Sequence, residues 1–123
     1  MILKNMPNQS RRLDQTFQAL ADPARRAMVA RLSRGPASVS ELARPLSMSL
    51  PAAMQHLAML EDADLVRSKK TGRVRTCRIN PAALSRAEQW INQRRAEWEH
   101  RLDRLGRYLE MLNNDGGENG ADE

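Results

Sequence analysis

Apolar residues recur three and four apart along most of this chain and alternate over one short stretch, a pattern that predicts helices around a single two-stranded ribbon. Leu13, Phe17 and Leu20, with Ala21 beside them, form one face of a first helix. Asp22-Pro23 closes it and opens the next, since Asp caps amide groups and Pro suits a first helical position. Ala27, Met28, Val29, Ala30 and Leu32 supply the second helix with its apolar side, and Gly35-Pro36 ends it. Ser38 and Glu41 have the spacing of a capping box, so a short third helix runs to about Leu46. Ser47-Met48-Ser49 makes a turn. Ser49 then caps a fourth helix over about 49–62, with Ala53, Leu57 and Leu60 on one side and Pro51 tolerated in the first turn. Two short helices joined by a tight turn outline a helix-turn-helix.

After Asp64 the period becomes two. Residues 65–70 and 74–79 read as strands joined across Thr71-Gly72-Arg73, with glycine available for a positive φ. A lone ribbon of two strands is marginal, so it must lean on the helices. Asn80-Pro81 starts the longest helix, to about Leu112, in which Leu84, Ile91, Trp98, Leu105 and Leu112 are spaced by seven and Ala87, Leu102 and Leu109 fill the intervals. Such a seam exceeds what a small domain can cover, and it is expected to pair with its copy in a second subunit. The organisation expected is a flexible N-terminal arm (1–10), one mainly α domain of five helices and a small β-hairpin (11–112), and a disordered acidic tail (113–123).

Length, composition and charge narrow the class. The 123 residues suit one domain, and 41% apolar with 3% aromatic content points to an aliphatic core. The net charge is +5, but residues 113–123 hold four acids and no base, so residues 1–112 carry +9. That is the electrostatic footprint of a chain that meets phosphate. Of the 20 bases only Lys4, Lys69 and Lys70 are lysines, and arginine's planar fork suits phosphate and guanine. Cys77 is the one cysteine, which excludes an intrachain disulfide and a cysteine cluster within one chain. With no apolar run near a membrane span and no signal-peptide core, the expected location is the cytoplasm, with no membrane partner.

Helix, helix, helix-turn-helix, basic hairpin and long helix is the order of a winged helix-turn-helix. Asp22-Pro23-Ala24-Arg25-Arg26, Ser38-Val39-Ser40-Glu41-Leu42-Ala43, Ser49-Leu50-Pro51-Ala52-Ala53-Met54-Gln55-His56-Leu57 and Leu60-Glu61-Asp62-Ala63-Asp64-Leu65-Val66 together resemble the ArsR family of bacterial repressors. The resemblance spans about residues 13–112. It implies a homodimer formed through the first and last helices, with Leu13, Phe17, Leu84, Ile91, Trp98, Leu102, Leu105 and Leu109 at the interface. It also implies repression of transcription, often of its own or an adjacent operon; a two-fold dimer places its fourth helices in successive major grooves, so the operator is expected to be an inverted repeat. Leu50 stands where the family commonly has Gln, Met54 where Ser or Thr is common, and Gln55 where Lys is frequent. Asp64 replaces a usual Gly, and Asp tolerates the left-handed conformation better than most residues. Members that sense metals use a Cys pair in the first helix of the motif or Asp, His and Glu on the last helix. Residues 38–46 have neither Cys nor His and the long helix has one His, so the chain resembles the branch without a metal site. No metal and no cofactor is expected, and the small-molecule effector is unknown.

Candidate DNA-binding residues follow from the motif. Ser47, Ser49, Leu50, Pro51, Met54 and Gln55 cluster at the end of the fourth helix that such motifs push into the major groove. Gln55 can bond adenine, while Leu50 and Met54 can touch a thymine methyl. His56 either bonds phosphate or sits satisfied at the core edge. The hairpin carries Arg67, Lys69, Lys70, Arg73, Arg75 and Arg78 and no acid, which favours backbone or minor-groove contact, with Lys69, Lys70, Arg73 and Arg75 as candidates. Cys77 reads as a small buried hydrophobe, Trp90 and Trp98 as seam residues, and Glu97 with His100 as a surface ion pair. The chain has no phosphate loop, no nucleophile with a base and no metal constellation, so an enzyme is not expected. The alternative is a winged-helix protein-interaction module that has lost specific operator binding.

Overall fold

The computed structural model describes residues 8–121, with side chains from Ser10 to Asp115. The order is α1 (Asn8–Leu20), α2 (Pro23–Leu32), β1 (Ala37–Ser38), α3 (Val39–Ala43), a 3-10 turn (Arg44–Leu46), α4 (Leu50–Asp62), β2 (Val66–Thr71), β3 (Val74–Ile79) and α5 (Pro81–Ala121). All five helices and the hairpin are present in the expected order, with some boundaries shifted. Of the arm expected over 1–10, residues 1–7 lie outside the described residues and 8–10 belong to α1. Two compact units divide the chain after Ala87.

The first unit is held by one aliphatic core. Met28 and Leu32 of α2, Leu57 and Leu60 of α4, Leu65 just before β2, and Val66 and Cys77 of the sheet are fully buried. Thr16 is buried with them, its hydroxyl satisfied by donating to the Arg12 carbonyl at 2.9 Å. At the α1–α2 corner the Asp22 carboxylate accepts from the Arg25 amide at 3.0 Å, as a cap should. The Arg25 guanidinium then donates back to the carbonyls of Ala19 (2.7 Å) and Gln18 (3.2 Å), and Arg26 donates to that of Leu20 (2.7 Å). Helix ends leave such carbonyls unpaired, so the two arginines close α1.

Two boundaries differ from expectation at the centre of this unit. The third helix ends at Ala43 and tightens into the 3-10 turn, because Pro45 has no N–H to continue the α pattern. The expected two-stranded ribbon is a three-stranded antiparallel sheet in the order β1-β3-β2, with Ala37 opposite Cys77 and Ser38 opposite Thr76. The added strand supplies pairing that a lone hairpin lacks. Ser38 also completes the capping box: its hydroxyl accepts from the Glu41 amide at 3.2 Å, and its own amide donates to the Glu41 carboxylate at 3.4 Å.

The second unit, from Glu88, is the remainder of α5. The helix continues to Ala121 rather than stopping at Leu112, so residues 113–121, expected as a disordered tail, are its last turns; 122 and 123 lie outside the described residues. Ile91, Trp98, Leu102, Leu105, Leu109 and Leu112 are all exposed along it. Glu97 pairs with Arg94 at 3.1 Å instead of with His100, and the same guanidinium lies 5.1 Å from the centre of the Trp90 ring. One arginine thus serves two neighbours on the helix surface.

Candidate nucleic-acid interface

Helix α4 is set by its two ends and its buried side. At the turn before it, Ser47 adopts a left-handed φ of 53°, and the Met48 amide reaches back to the Ala43 carbonyl at 3.3 Å. Ser49 is extended, and its hydroxyl accepts from the Ala52 amide at 3.3 Å. Ala53, Leu57 and Leu60 anchor the helix in the core, which leaves Leu50, Pro51, Met54 and Gln55 exposed at its N-terminal end. The N-terminal end of a helix carries partial positive charge and suits an anion.

The hairpin pairs Lys70 with Arg75, Lys69 with Thr76, Ser68 with Cys77 and Arg67 with Arg78, across a turn in which Gly72 takes a φ of 63°. Its bases are not equivalent. Arg75 is half-buried and donates to the Ser68 hydroxyl at 3.0 Å, and Ser68 in turn donates to the Glu61 carboxylate in the last turn of α4. Arg67 lies 3.9 Å from Asp64, which also faces Arg86 at 3.7 Å. The hairpin has no acid of its own, yet the adjoining helix end and turn supply two. Lys69, Lys70, Arg73 and Arg78 are exposed.

Between these elements lies an open groove of about 340 Å³. Leu50 and Met54 of α4 form one wall and Lys70, Arg73, Val74 and Arg75 of the hairpin the other, with Ser38, Val39 and Ser40 at the start of α3 as floor. Among the described residues, no acidic side chain lines it. The structure therefore brings Leu50, Met54, Lys70, Arg73 and Arg75 together. Ser38, Val39, Ser40 and Val74 had not been singled out for this surface, because the capping box gave Ser38 a structural meaning and Val74 read only as a strand residue.

His56 belongs elsewhere. At about 3.6 residues per turn it falls on the flank of α4 opposite Met54, and its Nδ1 lies 3.3 Å from the Arg25 guanidinium and 3.9 Å from the Asp22 carboxylate. The Arg25 amide holds the Asp22 carboxyl below its ordinary pKa, and the charges of Arg25 and His56 act in the same direction. Burial pushes the Cys77 thiol above its usual value, with Glu61 adding to the effect, so the thiolate is disfavoured. Asp64 has a φ of 62°, the left-handed conformation anticipated there, and its carbonyl accepts from the buried Asn80 side chain at 2.8 Å. Among the described residues no three His, Cys, Asp or Glu side chains gather as metal ligands, and no helix is long and apolar enough to cross a membrane.

A helix-turn-helix whose second helix stands exposed beside a basic hairpin defines a winged helix-turn-helix DNA-binding regulator. Residues 20–69 match the family model described as a helix-turn-helix domain. The chain is 47% identical over 72 residues to the HTH-type transcriptional regulator Rv2034 of Mycobacterium tuberculosis, covering 58% of this chain and 67% of that protein. It is 24% identical over 79 residues to the transcriptional repressor SdpR of Bacillus subtilis, covering 64% and 88%. A crystal structure of an ArsR family transcriptional regulator matches with a TM-score of 0.71 at 49% identity, covering 76% of this chain and 97% of that one. The chain belongs to the ArsR family of transcriptional regulators, as its motifs implied.

Proposed function

We propose that the chain is a homodimeric, sequence-specific repressor acting in the cytoplasm on an inverted-repeat operator of its own or an adjacent operon. The observation that carries this reading is the acid-free groove between the start of α4 and the hairpin, where Lys70, Arg73 and Arg75 face Leu50 and Met54. Phosphate is the group such a cationic wall meets, and base edges are what an exposed helix start meets. Repression is supported by the similarity to the Bacillus subtilis repressor. Dimerisation is supported by the exposed leucines and Trp98 of α5, a stripe that water does not favour. Leu13, Phe17 and Leu84, half-buried in the first unit, are the remaining interface candidates. Gln55 reads bases, Ser47, Ser49 and Pro51 approach the backbone, and Lys69 adds long-range attraction, whereas His56 serves the α1–α2 corner. The protein acts by binding rather than by catalysis, and metal is not its effector.

Selection from a pool of random duplex DNA tests this. The expected product is an inverted repeat with half-sites about 34 Å apart, one helical turn, bound by two chains. A folded chain that enriches no sequence would instead be a protein-interaction module on the same scaffold.

A further inference from the structure

Three large apolar side chains border one groove while staying open to solvent: Leu50 is 51% exposed, Met54 40% and Val74 53%. Leu57, Leu60 and Leu65 nearby are wholly buried, so the first unit had apolar cover to give and did not give it here. Lys70, Arg73 and Arg75 complete the groove without an acid. Whatever fills it must offer isolated apolar groups within a field of negative charge. A DNA major groove does this at one kind of position, since the only apolar group on its base edges is the C5 methyl of thymine. Leucine has no hydrogen-bonding atom in its side chain and methionine only a weakly accepting sulfur, so neither can read the donor and acceptor pattern that distinguishes the other base edges.

We propose that Leu50 and Met54 determine specificity by reading thymine methyl groups, so that the half-site carries thymines under the start of α4. This rests on the operator-binding reading above. Gln55, next to Met54 on the exposed side of α4, is suited to the adenine edge of the same or an adjacent A·T pair. Phosphates on either side of those bases then meet Lys70 and Arg73, and charge complementarity holds the apolar contact in register.

The test uses the duplex enriched from a random pool and a second copy in which deoxyuridine replaces every thymidine, which removes the methyl groups and keeps the pairing edge. The parent chain should bind the uracil duplex about fourfold more weakly for each buried methyl lost. A double variant, Leu50→Ala with Met54→Ala, should bind both duplexes equally; both side chains are exposed, so its fold is retained, and circular dichroism checks this. Equal binding of the two duplexes by the parent chain overturns the proposal while leaving operator binding intact. A double variant that still prefers thymine overturns it too, by showing that other residues or DNA stiffness sense the change. Failure of the parent to enrich any sequence removes the operator reading itself.

Discussion

The start of α4 and the distal part of α5 both leave leucines in water, yet their surroundings differ. Leu50 and Met54 sit beside a wall of cations with no acid among the lining residues. Along α5, Ile91, Trp98, Leu102, Leu105 and Leu109 are interleaved with both signs of charge: Arg94, Arg95, Arg101, Arg104 and Arg107 against Glu97, Glu99, Asp103 and Glu110. A surface of one sign repels its own copy and attracts a polyanion. A mixed surface around an apolar stripe does neither strongly and can face a second copy of itself. Exposure of apolar side chains alone would not separate the proposed DNA-reading face from the proposed protein-pairing face; the charge around them is what distinguishes the two.

The largest expected effect comes from breaking the α5 stripe. Ile91→Asp with Leu105→Asp removes four apolar side chains from a dimer, roughly 6 kcal/mol or more of burial. Sedimentation should show monomer, with operator affinity reduced to that of a half-site; an unchanged dimer would place the seam elsewhere. A smaller loss is expected at the groove floor. Ser38→Ala removes the cap of α3 and costs about 1 kcal/mol, seen as a lower melting temperature with dimerisation retained. The smallest effect concerns the corner that holds His56 away from the groove. The Asp22 pKa is lowered in the folded chain, so its contribution is fully present above the ordinary carboxylate range and is lost as the pH falls through the folded value. Asp22→Ala should therefore lower the melting temperature at neutral pH and match the parent progressively more closely in acid.

Most of the scaffold was legible because it is written in local signals. Asp22-Pro23, the Ser38 and Glu41 spacing, Gly72 and the switch from helical to alternating period each act within a few residues. The third strand was not legible, since Ala37 and Ser38 are too few for a period and pair with residues far along the chain. Nor was the difference between Arg73 and Arg75, which depends on Ser68 and on Glu61 from another element. The closing of α1 by Arg25 and Arg26 had the same cause: a side chain bonding six residues back gives no periodic signal. The helix beyond Leu112 was missed for another reason. Apolar spacing ends there, although backbone hydrogen bonding does not.

The central claim is that the groove between α4 and the hairpin meets the DNA backbone, and salt dependence tests it most directly. Lys70→Ala with Arg73→Ala changes two exposed side chains on the groove wall and leaves the Arg75, Ser68 and Glu61 contacts in place. Binding to the selected duplex and to random DNA would be titrated at several salt concentrations for parent and variant. Phosphate contacts release counterions whatever the sequence, so the variant should weaken on both DNAs and its slope of log K against log salt should flatten by about one unit per lost contact in each subunit. A variant that keeps the parental slope would show that these cations are a solvated surface and that the DNA lies elsewhere.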